Sequence, residues 1–413
     1  MATAAAVFFG LVCSALGDNW PAWRGPDGQG RSAEKNLPLK WSDTENVKWK
    51  VALPAGCNST PIIWGDKVFI TQMSKDKAAR SLWCLARTDG KILWQKDVSY
   101  ADKETTHGTN PYCSASPVTD GERIVVSHGS VGLFCYDLAG KELWKRDLGK
   151  FEHIWGNAAS PILYGDLVIL WCGPGERQFL LAVNKKTGET VWQQDEPGGL
   201  FGKETKDWIG SWSTPLVVKI GDQDQLLLSV PNKLKSFDPK TGKELWASDG
   251  GLGKLVYTSP LFADGIAVSL GGPSGQVAVK VGGKGNVTKD SFKFAKGSNW
   301  RVGSGVIVGD HVYHMEGNGQ PRCWELKTGK DVWDAPDRPT SSGVWGSTVY
   351  GDGRVYVTDQ DGNTHVFAAS PKYELLATNR LGKGERVNAS IAISHGDLYI
   401  RTYKHLWCIG AKQ

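Results

Sequence analysis

The chain has 413 residues, of which 40% are hydrophobic and 22% charged, a balance that excludes a disordered chain. It carries 51 Gly, 19 Trp and 3 Met, and the richness in Gly disfavours a helical bundle. The net charge of +5 is spread thinly, with no run of five to eight Lys and Arg, so a nucleic-acid partner is excluded as well.

In chain order, the first feature is the uncharged apolar stretch Ala4–Leu16. It ends in Ala15-Leu16-Gly17, with small residues placed as a signal peptidase requires, so residues 1–17 are expected to be an export signal. The stretch is too short to span a bilayer, and no later segment is longer, so no transmembrane segment is expected. Residues 18–45 are assigned to an N-terminal wrapping segment and 46–413 to one repeat domain.

From Ser59 onward a phrase recurs: Ser or Thr before Pro, an apolar run, Gly-Asp, and a second apolar run. It begins at Ser59-Thr60-Pro61, Ser116-Pro117, Ser160-Pro161, Thr214-Pro215 and Ser259-Pro260. Three degenerate copies keep Gly309-Asp310, Gly351-Asp352 and Gly396-Asp397. The eight copies are spaced by about 42 to 56 residues, the range of propeller blades. A second phrase, a Gly turn followed by Trp, closes most copies, as in Asp238-Pro239-Lys240-Thr241-Gly242-Lys243-Glu244-Leu245-Trp246. Period-2 apolar runs between these turns read as about four short antiparallel strands per copy.

The expected fold is therefore all-β: an eight-bladed β-propeller with four-stranded antiparallel blades. The last copy ends at Leu406-Trp407-Cys408-Ile409 without its own fourth strand, whereas Asn46–Val51 resembles one. The N-terminal strand is expected to complete the last blade and close the ring.

Trp49, Trp94, Trp144, Trp192, Trp246 and Trp333 fall at the same repeat position and are expected to anchor neighbouring blades. Truncating one should cost about 3–5 kcal/mol. The fifth copy has Val287 near that place and the seventh Leu375-Leu376. The third strand carries a small residue in each copy, expected at Cys84, Cys135, Ala182, Ser236, Ala278, Cys323, Ala368 and Cys408, where cysteine behaves as a small hydrophobe. Cys57 and Cys113 differ, each lying four residues before its Pro in adjacent blades. Two readings stay open for them, a disulfide or two thiols held apart by the distance between blades.

The Asp-x-x-Thr-Gly-Lys-x-x-Trp phrase resembles the pyrroloquinoline quinone (PQQ)-like propeller repeat over about residues 41–410. That repeat is found in quinoprotein alcohol dehydrogenases and in BamB-like outer-membrane assembly lipoproteins. The opening Trp20-Pro21-Ala22-Trp23-Arg24-Gly25-Pro26-Asp27-Gly28 is similar to the start of exported bacterial proteins of this superfamily. The quinoprotein branch implies PQQ with Ca²⁺, held in many members under a disulfide of adjacent cysteines, and this chain has no Cys-Cys pair. The calcium-like phrase Asp359-Gln360-Asp361-Gly362-Asn363 falls at a hairpin position and reads as a turn. His311 and His314, three apart on a strand, face opposite ways, and no metal site is expected. Cys13 follows Gly10-Leu11-Val12, which is not a lipoprotein pattern, so a freely exported periplasmic or secreted monomer is expected.

Propellers bind at the channel mouth, in the loops that enter each innermost strand. Counting back from each Ser-Pro position places Asn58, Tyr112, Trp155, Asn157, Trp208, Trp300, Arg301, Trp345, Arg386 and Asn388 there, with His107, His153, Trp212 and Tyr257. Aromatic faces among amides and two arginines suit a flat or anionic small molecule, a peptide or a protein partner, and the alternative is that these residues plug and rigidify the rim. The leading expectation is a non-catalytic binding or assembly scaffold without a cofactor. The alternative is a PQQ-dependent dehydrogenase acting on an alcohol or sugar.

Overall fold

The computed structural model describes residues 19–199, 208–273, 275–292, 300–333, 335 and 338–411. The expected export signal, with Cys13, lies outside the described residues. Eight blades surround a central channel, and most are four-stranded and antiparallel. Blade one runs Ile62–Trp64, Lys67–Met73, Ala79–Ala86 and Ile92–Ser99 from the channel outward. Its two middle strands are almost continuously buried because blades stack face to face, while the outermost strand alternates with solvent. Val47–Ala52 pairs antiparallel with His405–Ile409, so the N-terminal strand completes blade eight as expected.

The residue before each innermost strand explains why the repeat keeps a hydroxyl there. The backbone N–H of Thr60 donates to the Ser116 hydroxyl of the next blade at 2.8 Å. Ser116 donates likewise to Ser160, Ser160 to Thr214, Thr214 to Ser259 and Ser259 to Ser304. Ser304 donates to Ser347, Ser347 to Ser390, and Ser390 back to Thr60 at 3.2 Å. These bonds form a closed ring around the channel, one per blade boundary.

The tryptophan anchors work farther out. Cys84 pairs with Trp94, Cys135 with Trp144, Ala182 with Trp192, Ser236 with Trp246 and Cys408 with Trp49, so the small residue makes room opposite the indole. Trp49 donates from Nε1 to the Arg87 carbonyl in the turn of blade one, at 2.8 Å. Trp94, Trp144, Trp192 and Trp333 make the same bond to Leu138, Lys185, Pro239 and Ser370 of the following blade. The turn glycine is required by contact as well as by its φ of +74°, because a Cβ on Gly90 would lie 2.7 Å from the Trp49 ring. Trp246 departs, donating to Gln225 of its own blade, while its strand pairs in parallel with Gly285–Asn286 of blade five.

Three expectations are corrected in the divergent blades. In blade seven the small position is Val366 rather than Ala368, and it pairs with Ala377 rather than Leu375 or Leu376. Both members of this pair are small, so blade seven carries no aromatic anchor at this place. In blade five Ala278 pairs with Phe292, so Val287 is not the anchor. Blade six forms a three-stranded sheet, Val306–Val308, His311–Met315 and Pro321–Glu325, with an isolated bridge from Trp324 to Asp331 beyond it.

The segment before the first strand crosses the channel at the end opposite the loops that precede the innermost strands. Trp20 exchanges both backbone bonds with Ile63 of blade one, Gln29 accepts from the Phe262 N–H of blade five, and Ser32 donates to Tyr350 of blade seven. Between them Arg24 is fully buried and donates to the carbonyls of Gln29, Ser304, Gly305 and Thr348. Burial brings its guanidinium down to about 9.

Candidate functional site

The loops entering the innermost strands gather most of the residues singled out in the sequence, the two arginines excepted, into two groups at one mouth of the channel. The first group is taken up by the chain itself. The connection from blade one to blade two is long, and its residues 104–112 form a strap across the mouth. The Thr109 carbonyl accepts from Asn58 and from Asn388, each at 2.9 Å. Asn110 donates to the carbonyls of Trp155 and Asn157. Tyr112 donates to the Glu104 carbonyl at 2.6 Å, within the strap. The amides expected to meet a ligand thus tie the strap to blades eight, one and three.

Beneath the strap lies a polar network that sequence reasoning missed. The Glu104 carboxylate accepts from Asn157 at 2.7 Å and from the N–H and hydroxyl of Ser130, and pairs with Arg80 at 3.6 Å. Arg80 is buried and stacks over the Tyr112 ring at 3.5 Å. His128 lines the same small cavity, and burial holds its imidazole neutral, down at about 3. A hint was available in the wide spacing from Pro61 to Pro117, which announces an insertion before blade two.

The second group is aromatic. Trp155 meets Trp208 edge-on at 4.8 Å, and Tyr257 and Trp212 at 5.8 and 5.9 Å. His153 abuts Trp212 at 4.9 Å, and burial lowers its imidazole to about 4. Farther round, Trp300 stands edge-on to Trp345 at 5.6 Å. Trp300 is 38% exposed, the one exposed tryptophan among the described residues.

Neither expected arginine reaches an open anion site on this arc. Arg301 is fully buried, donating to the Leu270 carbonyl at 2.6 Å and to the Gln276 side chain. Its desolvation brings the guanidinium down to about 10. Arg386 is exposed and lies over the Tyr403 ring at 5.6 Å. With Arg380 and Lys383 it borders a separate cleft beside blades seven and eight.

Among the described residues no group of three or more His, Cys, Asp or Glu is placed to hold a metal ion. The Asp359 carboxylate accepts from the N–H groups of Asp361 and Asn363 and from the Asn363 and His365 side chains, so it serves the hairpin. With its oxygens engaged by these donors, Asp359 is not free to ligate Ca²⁺ at this hairpin.

The profile of the family described as outer membrane protein assembly factor BamB matches residues 81–335 and, overlapping them, 231–373. The chain belongs to this family. It is 22% identical over 281 residues to the outer membrane protein assembly factor BamB of Shewanella oneidensis, across 63% of the chain and 67% of that protein. It is 23% identical over 361 residues to a tetrathionate hydrolase of Acidithiobacillus ferrooxidans. That match takes in 79% of the chain and 59% of the hydrolase, so the chain spans about three-fifths of that relative's length. Among solved structures, BamB from Moraxella catarrhalis superposes with a TM-score of 0.61 at 16% identity, over 87% of this chain and 98% of that one. Quinohemoprotein alcohol dehydrogenase from Comamonas testosteroni gives 0.67 at 13%, over 97% and 82%. At such identities the likeness is one of fold, and this BamB-family chain shares its propeller with binding proteins and enzymes alike. No helix among the described residues is long and apolar enough to cross a membrane.

Proposed function

We propose that this BamB-family chain is an exported bacterial propeller acting as a binding or assembly scaffold, and that it takes a segment of a partner protein on the aromatic group at its channel mouth. The observation that carries this reading is the exposure of Trp300, set edge-on to Trp345. A large indole left in water at a channel mouth is the kind of residue that dominates interfaces. The match to an assembly factor supports the same reading. Export rests on the apolar segment Ala4–Leu16.

A photo-crosslinking residue placed at Trp300 in cells should capture one discrete protein, whereas the same residue at exposed Lys186 in a blade turn should capture none. Trp300→Ala should weaken binding of the captured protein by about 2 kcal/mol. A titration with PQQ and Ca²⁺ followed by tryptophan fluorescence is expected to show no saturable change. Saturable quenching joined to dye-linked oxidation of an alcohol or sugar would replace the scaffold with a dehydrogenase.

A further inference from the structure

Two cysteines of adjacent blades meet at the rim, just before the innermost strands of blades one and two. Cys57 and Cys113 pack against each other and against Met73, at 1% and 7% exposure, and both are free thiols. The repeat does not ask for them, since the corresponding places in blades three to five hold Asn157, Ser211 and Val256.

Their surroundings differ from those of the structural cysteines. Burial pushes the thiols of Cys84, Cys135 and Cys323 up to about 12. Burial acts on Cys57 in the same direction, but the S–H of Cys113 donates to it and the Arg401 guanidinium lies beside it, and these bring it down to about 7. Cys113 is held well above the ordinary thiol range by burial and by that same bond. One sulfur is thus prepared as a thiolate, with the other as its proton-bearing neighbour.

Arg401 explains the thiolate. It is fully buried, and its guanidinium donates to the Thr71 carbonyl at 2.6 Å, the Ser59 carbonyl and hydroxyl, and the Gln72 side chain, all of them neutral. A buried cation with neutral partners is stabilised by an anion in contact, and Cys57 is the acidic group that touches it. Cys113 is also held at a φ of +63°, a left-handed conformation that is strained for a side chain-bearing residue. The Ser59 N–H and the Thr71 hydroxyl fasten its carbonyl there.

From this geometry we propose that Cys57 and Cys113 are a thiol–disulfide exchange pair, which reacts stoichiometrically with an organic disulfide and closes into a covalent link between blades one and two. The Cys57 thiolate attacks one sulfur of the disulfide R–S–S–R. The S–S bond breaks, one thiolate leaves and takes up the proton that Cys57 has lost, and Cys57 carries the mixed disulfide. Cys113 then gives up its proton, and its sulfur attacks the Cys57 sulfur and expels the second thiolate, which receives that proton. The two cysteines are oxidised by two electrons and the reagent is reduced to two thiols. Cys113 lines the small cavity beneath the strap with Arg80, Glu104 and Tyr112, and Cys57 is buried behind it, so the reaction requires the strap to open.

The test uses the full chain with oxidised glutathione, followed by denaturation, alkylation and peptide mass spectrometry. The peptides bearing Cys57 and Cys113 should be recovered joined, while Cys84, Cys135, Cys172, Cys323 and Cys408 are recovered alkylated. Cys113→Ser should trap glutathione on Cys57, and Cys57→Ser should leave Cys113 unmodified. The proposal is overturned if both cysteines of the unsubstituted chain are recovered alkylated, or if glutathione is found on Cys113 of the Cys57→Ser variant. The first criterion needs no variant, so it stands even where a substitution prevents folding. Partner capture at Trp300 plays no part in either criterion.

Discussion

The N–H groups of Thr60, Ser116, Ser160 and their counterparts precede the innermost strands, where strand pairing does not reach them, and a neighbouring hydroxyl takes each one instead. Ser160→Ala would leave the Ser116 N–H buried and unpaired, at a cost of about 1–3 kcal/mol. Ser160→Thr should be nearly neutral, since Thr60 and Thr214 already fill equivalent places in the ring. Urea denaturation of the two variants decides the matter, and an alanine variant as stable as the parent would deny the ring any part in stability. The hydroxyl itself was legible as a member of the repeated phrase. Its role was not, because donor and acceptor are a whole blade apart in sequence. The same holds for Arg301, which reads as a ligand-binding cation until its carbonyl partners in blade five are brought round it.

Among the elements, the strap at 104–112 most changes the reading of the site. Asn58 and Asn388 hold it through one carbonyl, and each such bond contributes about 0.5–1.5 kcal/mol. Replacing both with alanine should speed hydrogen exchange within 104–112 severalfold while leaving the blade strands protected. Unchanged exchange in the strap would show that Asn110 and the Glu104 network hold it alone. The blades themselves were readable strand by strand wherever the Gly turn and Trp were present. They blurred in blades five and seven, where Phe292 and Ala377 stand opposite the small position in place of Trp. The backbone pairing persists there without the Trp, and a pattern keyed to that one residue does not record it.

At the scale of the whole molecule, three buried imidazoles link stability to pH. Burial holds His128 and His153 down at about 3 and 4 and His314 well below its usual value. Unfolded, all three take a proton below about pH 6.5. Between that pH and about 4 the unfolded chain therefore binds more protons, and stability must fall as the pH falls, by about 1.4 kcal/mol per pH unit for each imidazole. His314→Phe, which keeps a ring against Trp324, should reduce this slope by about a third in denaturation measured from pH 7 to pH 5. An unaltered slope would mean that His314 is protonated in the fold. The sequence by itself determined the eight-fold repeat, the strand periodicity and the N-terminal strand that closes the ring, because these depend on local alternation, turn chemistry and one repeated length. Only the tertiary structure decided which mouth residues are spent on the strap, which stay exposed, and that Cys57 meets both Cys113 and Arg401. Those outcomes depend on residues as much as 344 positions apart, and distance in sequence carries no information about which of them meet across a closed ring.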